Sequence, residues 1–231
     1  MKIAVSIIIL LLCVITPLSG CISGRVKHAE PPSSPPAERL FIPDGGGGVS
    51  GDDKTEYTFT PESSGIWVFE METFGEGGFA LQIVYPDGSS VECSSHTGLY
   101  LTEGTEYDII AGVWTYTVGR KNSYTLTVSP AEVIPAGGGE FPIDKQVVFS
   151  LTPEKAGVWT FQTSENGDCV PYVIVYDTLN AETAGYDHGG TDGHNAYISV
   201  KLEQDIVYSV EVGFYLKRSG ECVFTVSFDG S

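Results

Sequence analysis

The chain has 231 residues, and its 30 acidic against 12 basic side chains give it a formal charge of −18. A surface this acidic repels phosphate backbones and anionic lipids, so it argues against nucleic-acid binding and leaves divalent cations, cationic proteins and neutral glycans as partners. The 28 glycines, 13 prolines and 11% aromatic residues are typical of short strands joined by turns rather than of helices.

The first 20 residues have the organisation of a secretion signal. A basic residue, Lys2, is followed by an apolar run from Ile3 to Ile15 and then by small residues before Cys21. The apolar run is shorter than the about 20 residues that span a bilayer. The segment Leu18–Cys21 resembles the lipobox of bacterial and archaeal lipoproteins, which implies cleavage before Cys21 and attachment of a diacylglycerol, with acyl chains such as palmitate, to its thiol. The alternative is an ordinary cleaved signal followed by an incidental cysteine.

Residues 21 to 39 are predicted to be a spacer. They include the run Pro31–Pro36 and lack a periodic apolar pattern, as is typical of a semi-rigid polyproline segment. We expect the chain after this spacer to be exported. Its lipid would hold it at the outer face of the cell membrane, or in the periplasm or at an outer membrane.

The rest of the chain is an internal repeat with an offset of 92 residues over its first half. The segments that align are Ile42–Gly47 with Ile134–Gly139, Tyr57–Phe69 with Phe149–Phe161, and Tyr124–Ser129 with Cys222–Ser227. The repeat predicts two copies of one domain, residues 40–131 and 132–231. Each copy is long enough, at about 90 residues, to bury its own core.

Both copies alternate apolar and polar side chains as strands do. Examples are Tyr107–Ala111 and Tyr208–Val212, and turn signals such as Pro86-Asp87-Gly88 separate the strands. This pattern predicts an all-β protein of two tandem antiparallel β-sandwich domains of the jelly-roll kind.

The repeat also predicts what the tryptophans do. The two copies share Gly65/Gly157, Trp67/Trp159 and Phe69/Phe161 at alternate positions, whereas the positions between them differ. A face that is kept while the opposite face changes indicates core packing, so we interpret Trp67 and Trp159 as core anchors. Sugar stacking by these rings is the alternative.

Six segments of the first copy follow one another as strands and turns: Tyr57–Phe59, Pro61–Gly65, Ile66–Phe69, Leu81–Gly88, Leu101–Tyr107 and Tyr124–Val128. This series resembles the bacterial pre-peptidase C-terminal domain, and the second copy follows it more loosely. The resemblance covers residues 42 to 228. It implies a jelly-roll-like sandwich appended to secreted proteins, with an accessory role in binding, spacing or solubility.

Some members of that family bind calcium through acidic residues before the first strand. The resemblance places this site at Asp53, with Asp52 beside it, while Thr55 falls at the family's second acidic position. Only Asp144 is acidic in the second copy. Calcium needs six to eight oxygen ligands, so the alternative is a solvated turn in both copies.

The segment Tyr186–Asn195 collects two of the four histidines. Asp187, His188, Asp192 and His194 bring together the carboxylate and imidazole ligands that transition metals prefer. Turn chemistry alone also places Asp, Asn and His in glycine-rich loops, and the spacing matches no established metal motif.

Three cysteines follow Cys21, and two of them, Cys169 and Cys222, share the second copy. Outside the cell these two are candidates for a disulfide. Cys93 would then be a buried thiol or an intermolecular link.

Aromatic residues after two equivalent strands are the candidate ligand surface. These residues are Trp114, Tyr116, Phe214 and Tyr215. Exposed aromatic rings with polar neighbours contact glycans and proteins, whereas packing in the core or at a sheet edge is the alternative.

The sequence lacks a Gly-x-Ser-x-Gly elbow, a His-Glu-x-x-His pair and a phosphate loop. We therefore expect a non-catalytic cell-surface lipoprotein that serves binding, adhesion or envelope structure, with an envelope protein or glycan as partner. Two alternatives are a carbohydrate-binding protein that uses the four aromatic residues and a metal-dependent hydrolase centred on Asp187, His188, Asp192 and His194. No cofactor other than calcium is expected.

Overall fold

The computed structural model describes residues 40–230 except 52–53, 76–77, 115–121, 166, 168, 190–194 and 216–218. The predicted signal, the spacer and Cys21 lie outside these residues. The described residues contain no helix with the length and apolarity that a bilayer crossing requires.

The described chain is all-β, as predicted, and its two repeats contain corresponding strands. The strands of the first repeat are β1 (Leu40–Ile42), β2 (Gly47–Gly51), β3 (Thr55–Phe59), β4 (Gly65–Phe74), β5 (Gly78–Val84), β6 (Ser90–Cys93), β7 (His96–Leu101), β8 (Tyr107–Trp114) and β9 (Ser123–Pro130). Those of the second are β10 (Glu132–Val133), β11 (Gly139–Lys145), β12 (Val147–Leu151), β13 (Gly157–Ser164), β14 (Pro171–Asp177), β15 (Glu182–His188), β16 (Tyr197–Leu202), β17 (Tyr208–Phe214) and β18 (Ser219–Gly230).

Each repeat is a sandwich of a five-stranded and a four-stranded sheet. The orders are β1-β3-β8-β5-β6 and β2-β9-β4-β7 in the first repeat, and β10-β12-β17-β14-β15 and β11-β18-β13-β16 in the second. The two topologies are identical strand for strand. The pairing is antiparallel except at one edge of each five-stranded sheet, where β1 and β10 run parallel to β3 and β12.

Each sandwich has its own core between its two sheets. Trp67 and Trp159 are each only 1% exposed, which confirms that both are core residues. The Trp67 ring meets Phe59 edge-on at a centroid distance of 4.9 Å, and the Trp159 ring packs against Phe228 at 5.4 Å. Aromatic pairs in these arrangements add to the stabilisation that area burial alone provides.

A third apolar cluster joins the two sandwiches. Ile66 and Val68 face away from the first core and are buried against Val148 of the second sandwich, with Ala131 and Val207 packed at the edge. Gly98 of β7 allows this contact, because a Cβ there would lie 2.5 Å from a methyl carbon of Val148. The outer face of β4 at Ile66 and Val68 is thus an interface rather than a solvent-exposed surface.

Candidate functional site

Three side chains form a hydrogen-bonded group on the outer face of the five-stranded sheet of the second sandwich. The Tyr172 hydroxyl donates to Oε1 of Glu211 at 2.6 Å, and the Gln146 amide donates to the same oxygen at 2.6 Å. Burial raises the pKa of Glu211, while the two hydrogen bonds oppose that rise. Burial, followed by the charge of Glu211, raises the pKa of Tyr172, so its hydroxyl remains a donor. The three residues therefore stabilise one another.

The side chain of Tyr172 covers Gly213. Residue 172 is paired across the sheet with Gly213 on one side and with His188 on the other. A Cβ at Gly213 would lie 2.7 Å from the Tyr172 hydroxyl. A larger residue at position 213 would thus push the phenol off the sheet.

Beside Tyr172, three rings form a continuous exposed group that we call the aromatic platform: Tyr186, His188 and Tyr215. The His188 ring stacks on Tyr215 at a centroid distance of 5.2 Å with an interplanar angle of 22°. It meets Tyr186 edge-on at 5.6 Å. Tyr186 is 53% exposed and Tyr215 is 50% exposed, so the rings contact one another and also face solvent.

Strand geometry fixes the position of the platform. Tyr186 and His188 are two residues apart on β15, so their side chains leave the same face of the sheet. Tyr215 directly follows β17, and its backbone N–H donates to the carbonyl of Val170 at 2.7 Å. The N–H of Gly189 similarly donates to Pro171 at 3.0 Å. Both ends of the platform are therefore tied to the start of β14.

Two of the four aromatic residues that the sequence suggested as a ligand surface, Phe214 and Tyr215, have described side chains, and the platform includes one of them. Tyr215 is exposed, as expected, whereas Phe214 is only 5% exposed and packs in the second core. The physical reason is alternation, since consecutive residues leave opposite faces of the sheet. The side chain of Trp114 and all of Tyr116 lie outside the described residues.

Sequence reasoning missed Tyr186 and His188 as partners of Tyr215. It treated this segment as a loop, whereas the structure continues β15 to His188. Their spacing of two residues was the available signal, and the pairing of β15 with β14 brings them beside Tyr215.

The two described members of the predicted metal group do not converge. Asp187 and His188 are consecutive on β15, so their side chains leave opposite faces, and Asp187 accepts a hydrogen bond from the N–H of Tyr197 at 2.8 Å. Asp192 and His194 lie outside the described residues. Within the described part of the chain, no three His, Cys, Asp or Glu side chains are placed to hold a metal ion.

The predicted calcium residues Asp52 and Asp53 also lie outside the described residues. Asp144, the acidic residue of the second copy, is exposed near the end of β11. Among the described residues it does not belong to a group of three or more His, Cys, Asp or Glu side chains placed to hold a metal ion, and calcium binding stays a prediction.

Cys169 and Cys222 pack in the same apolar core and are thiols in this structure. Burial, and then the charge of Cys169, raises the pKa of Cys222 to about 11. The predicted disulfide between them remains a prediction. Cys93 is half-buried in the first sandwich, and burial raises its pKa to about 12.

No protein-family model and no curated protein matches the chain. The resemblance to the pre-peptidase C-terminal domain therefore stays a prediction.

Solved structures match the chain at very low identity and low TM-score. The chain is 7% identical to an isomalto-dextranase from Arthrobacter globiformis T6 complexed with panose, over 75% of this chain and 36% of that one, with a TM-score of 0.26. It is 11% identical to tripeptidyl peptidase 2, over 79% and 22% of the two chains, with a TM-score of 0.25. For the CUB1-EGF-CUB2 domains of rat MASP-1 the identity is 6%, the coverage 82% and 100%, and the TM-score 0.26. The chain thus spans about a third or less of the first two proteins, and none of these likenesses bears on function.

Proposed function

We propose that this protein is a non-catalytic surface lipoprotein that binds a ligand through the aromatic platform. The observation that carries the proposal is the contact of the exposed rings of Tyr186, His188 and Tyr215 on a sheet that holds them in place. Rigid aromatic side chains provide contact area at a small entropic cost. The platform does not suggest a reaction. The imidazole of His188 packs against the rings of Tyr186 and Tyr215, and the carboxylate of the neighbouring Asp187 leaves the opposite face of the sheet.

A neutral glycan is the ligand class that the platform favours. Tyrosine rings stack on the apolar faces of sugar rings while their hydroxyls stay in water. The formal charge of −18 disfavours polyanionic ligands. If the ligand is a protein instead, this chain is an adhesin that binds it through the same aromatic platform.

Binding to insoluble polysaccharides tests the proposal. The fragment from Leu40 onward is incubated with neutral cell-wall and storage polysaccharides, and the bound fraction is measured after sedimentation. We expect Tyr186→Ala combined with Tyr215→Ala to reduce binding about tenfold or more, because each lost ring contact contributes about 1 kcal/mol.

Tyr197→Ala is the matched control, because Tyr197 is also exposed but lies on β16 of the other sheet. Equal loss in the control would show that the platform is not the binding surface. Absence of binding to every neutral glycan, together with capture of an envelope protein that depends on the platform, would replace the glycan by a protein ligand.

Lipid anchoring at Cys21 is the second part of the proposal. In the native host, Cys21→Ser should move the protein from the membrane fraction to the soluble exported fraction and abolish incorporation of labelled fatty acid. A single attached chain binds reversibly, and each buried methylene contributes about 0.8 kcal/mol, so a lipid with two or more chains accounts for stable anchoring. Retention of the Cys21→Ser protein in the membrane would contradict it.

A further inference from the structure

A polar cleft lies where the apolar contact between the two sandwiches ends. The last residue of β4 in that contact is Val68. Glu70 and Glu72 continue the same face of β4 and line the cleft. Lys145 and Gln146 of the second sandwich also line it, and its volume is about 180 Å³. Charged and polar side chains of both sandwiches therefore meet in one small space.

His96 of β7 lines the same cleft. It is paired directly with Glu70 across the sheet, so both side chains leave the same face. His96 is 8% exposed, and its Nε2 is buried without a hydrogen-bond partner among the described residues. Buried polar atoms normally make at least one hydrogen bond. The unpartnered nitrogen therefore points to a ligand that completes the hydrogen bonding of the cleft.

The groups of the cleft are mostly hydrogen-bond acceptors. Its two glutamates stand against the single ammonium group of Lys145, which gives a formal charge of 1 − 2 = −1. Gln146 donates an amide N–H to Glu211, so its carbonyl oxygen remains an acceptor. Burial lowers the pKa of His96 and so favours the neutral imidazole, which accepts through one ring nitrogen. A ligand that fits these groups carries a positive charge and several donors.

The second sandwich does not repeat this set of ionisable residues. Gln162 replaces Glu70 at the offset of 92 residues. Tyr197 pairs with Gln162 as His96 pairs with Glu70. The sandwich fold thus forms without the carboxylate and the imidazole. These two groups accompany the place where the first sandwich meets the second, which favours a role in binding.

We infer that the cleft binds an arginine side chain that a cationic partner protein presents. The guanidinium group keeps its charge and has five N–H donors in a planar fork, so it contacts several acceptors at once. The cleft is close in volume to the roughly 150 Å³ cavity that accepts benzene. It is smaller than the about 300–1,000 Å³ of sites for whole small molecules, so it fits the head of one side chain. The formal charge of −18 attracts a basic protein.

Binding of arginine analogues tests this inference independently of the aromatic platform. The fragment from Leu40 onward, which contains both cores, is isotope-labelled and titrated with N-acetylargininamide, and amide chemical shifts are followed by NMR. N-acetylcitrullinamide is the matched probe, because it has nearly the same shape without the charge. We expect saturable shifts at Glu70, His96 and Gln146 with a Kd in the millimolar range. The citrulline analogue should bind at least about tenfold more weakly.

Four substitutions separate the cleft from the general charge of the protein. Glu70→Gln and Glu72→Gln should each weaken binding about fivefold or more, because each removes a charged acceptor. Glu56→Gln makes the same change in net charge on β3 of the other sheet, so it should leave binding nearly unchanged. Lys145→Gln should tighten binding about twofold or more, because it removes a competing positive charge. The double substitution of the platform tyrosines should have no effect.

Three results would overturn the inference. The first is equal binding of the citrulline analogue, or no shift at these residues with either analogue. The second is equal weakening by Glu56→Gln, which would assign the shifts to the overall charge of the protein. The third is weaker binding after Lys145→Gln, or the same shifts with acetate or calcium ions. Either finding would assign a different occupant to the cleft.

Discussion

The hydroxyl groups of Tyr57 and Tyr124 hydrogen-bond to each other at 2.9 Å inside the first sandwich. Tyr57 belongs to the five-stranded sheet and Tyr124 to the four-stranded sheet, so this bond joins the two layers across the core. The second sandwich has Phe149 and Cys222 at the equivalent positions. Both hydroxyls are therefore replaced together, which is consistent with a pair whose members stabilise each other.

We predict that Tyr57 and Tyr124 are coupled energetically. Tyr57→Phe should lower the free energy of unfolding by about 1–2 kcal/mol, because it removes a partner from a buried hydroxyl. The double variant with Tyr124→Phe should cost less than the sum of the single variants, with a coupling free energy of about 1 kcal/mol. Urea unfolding of the four proteins measures this cycle, and strictly additive effects would contradict it.

The two core tryptophans should respond differently to the same substitution. The Trp67 indole N–H donates to the carbonyl of Ser63 at 3.1 Å, whereas the Trp159 indole nitrogen is buried without a hydrogen-bond partner among the described residues. Trp67→Phe loses both ring volume and a hydrogen bond, but Trp159→Phe removes an unsatisfied donor. We expect Trp67→Phe to destabilise the protein by about 1 kcal/mol more than Trp159→Phe. Thermal or urea unfolding gives the difference, and a larger loss for Trp159→Phe would refute the argument.

The tryptophans show how much of the fold the sequence reveals. The alternation of Trp67 with Phe69, which the second repeat shares as Trp159 and Phe161, correctly predicts which face meets the core. It does not predict that Ile66 and Val68, on the opposite face, are also buried. The periodicity of the sequence indicates that the face with Ile66 and Val68 is apolar. It does not indicate that this face packs against the second sandwich, because that contact joins segments far apart in sequence.

The aromatic platform was likewise predictable only in part, because the sequence indicates its residues but not their contacts with one another. Tyr215 stands out in the sequence as an aromatic residue after a strand. Its contact with His188 depends on the order of β15, β14 and β17 in the sheet. That order is set by contacts between strands far apart in sequence.

We predict that His96 makes the protein less stable in acid. His96 is 8% exposed, lies beside Glu70, Lys145 and Gln146 in a cleft between the sandwiches, and has no hydrogen-bond partner at Nε2 within the described part of the chain. Burial lowers the pKa of His96, Glu70 opposes this shift, and Lys145 reinforces it. Because the unfolded chain then takes up the proton more readily, stability is fully present above the ordinary histidine pKa and is lost as the pH falls through the folded-state pKa.

The measurement compares wild type with His96→Gln by urea unfolding at about pH 8 and about pH 5. The two proteins share every other titratable group, so the difference between their pH profiles isolates His96. We expect wild type to lose more stability than the variant on acidification. Parallel profiles would mean that His96 is protonated equally in the folded and unfolded states.

We predict that the exported protein joins Cys169 to Cys222 and leaves Cys93 reduced. The two partners pack in one core, and the extracellular environment favours the bond. Alkylation of the denatured, unreduced protein should therefore modify one cysteine of the soluble fragment, identified as Cys93 by mass spectrometry. Cys222→Ser should add a second modified site at Cys169, and modification of all three cysteines in the wild type would exclude the disulfide.

Gly98 should control how the two sandwiches pack together. A Cβ at this position would lie 2.5 Å from a methyl carbon of Val148 and 3.0 Å from the Ser209 hydroxyl. We expect Gly98→Leu to force the sandwiches apart and to destabilise the chain by about 1–3 kcal/mol, as overpacking does. Each core lies within one sandwich, so both should stay folded, and urea unfolding should separate into two transitions.

The matched control is Ser199→Leu. Ser199 pairs with Thr160 as Gly98 pairs with Val68, so it is the equivalent position of the second sandwich, and it is exposed. The same side chain added there meets solvent rather than another sandwich, so a single unfolding transition should persist. If both variants kept one transition and the same stability, Ile66, Val68 and Val148 would contribute little to joining the sandwiches. If Gly98→Leu alone separated the transitions, their packing would be the link that makes the tandem repeat unfold as one unit.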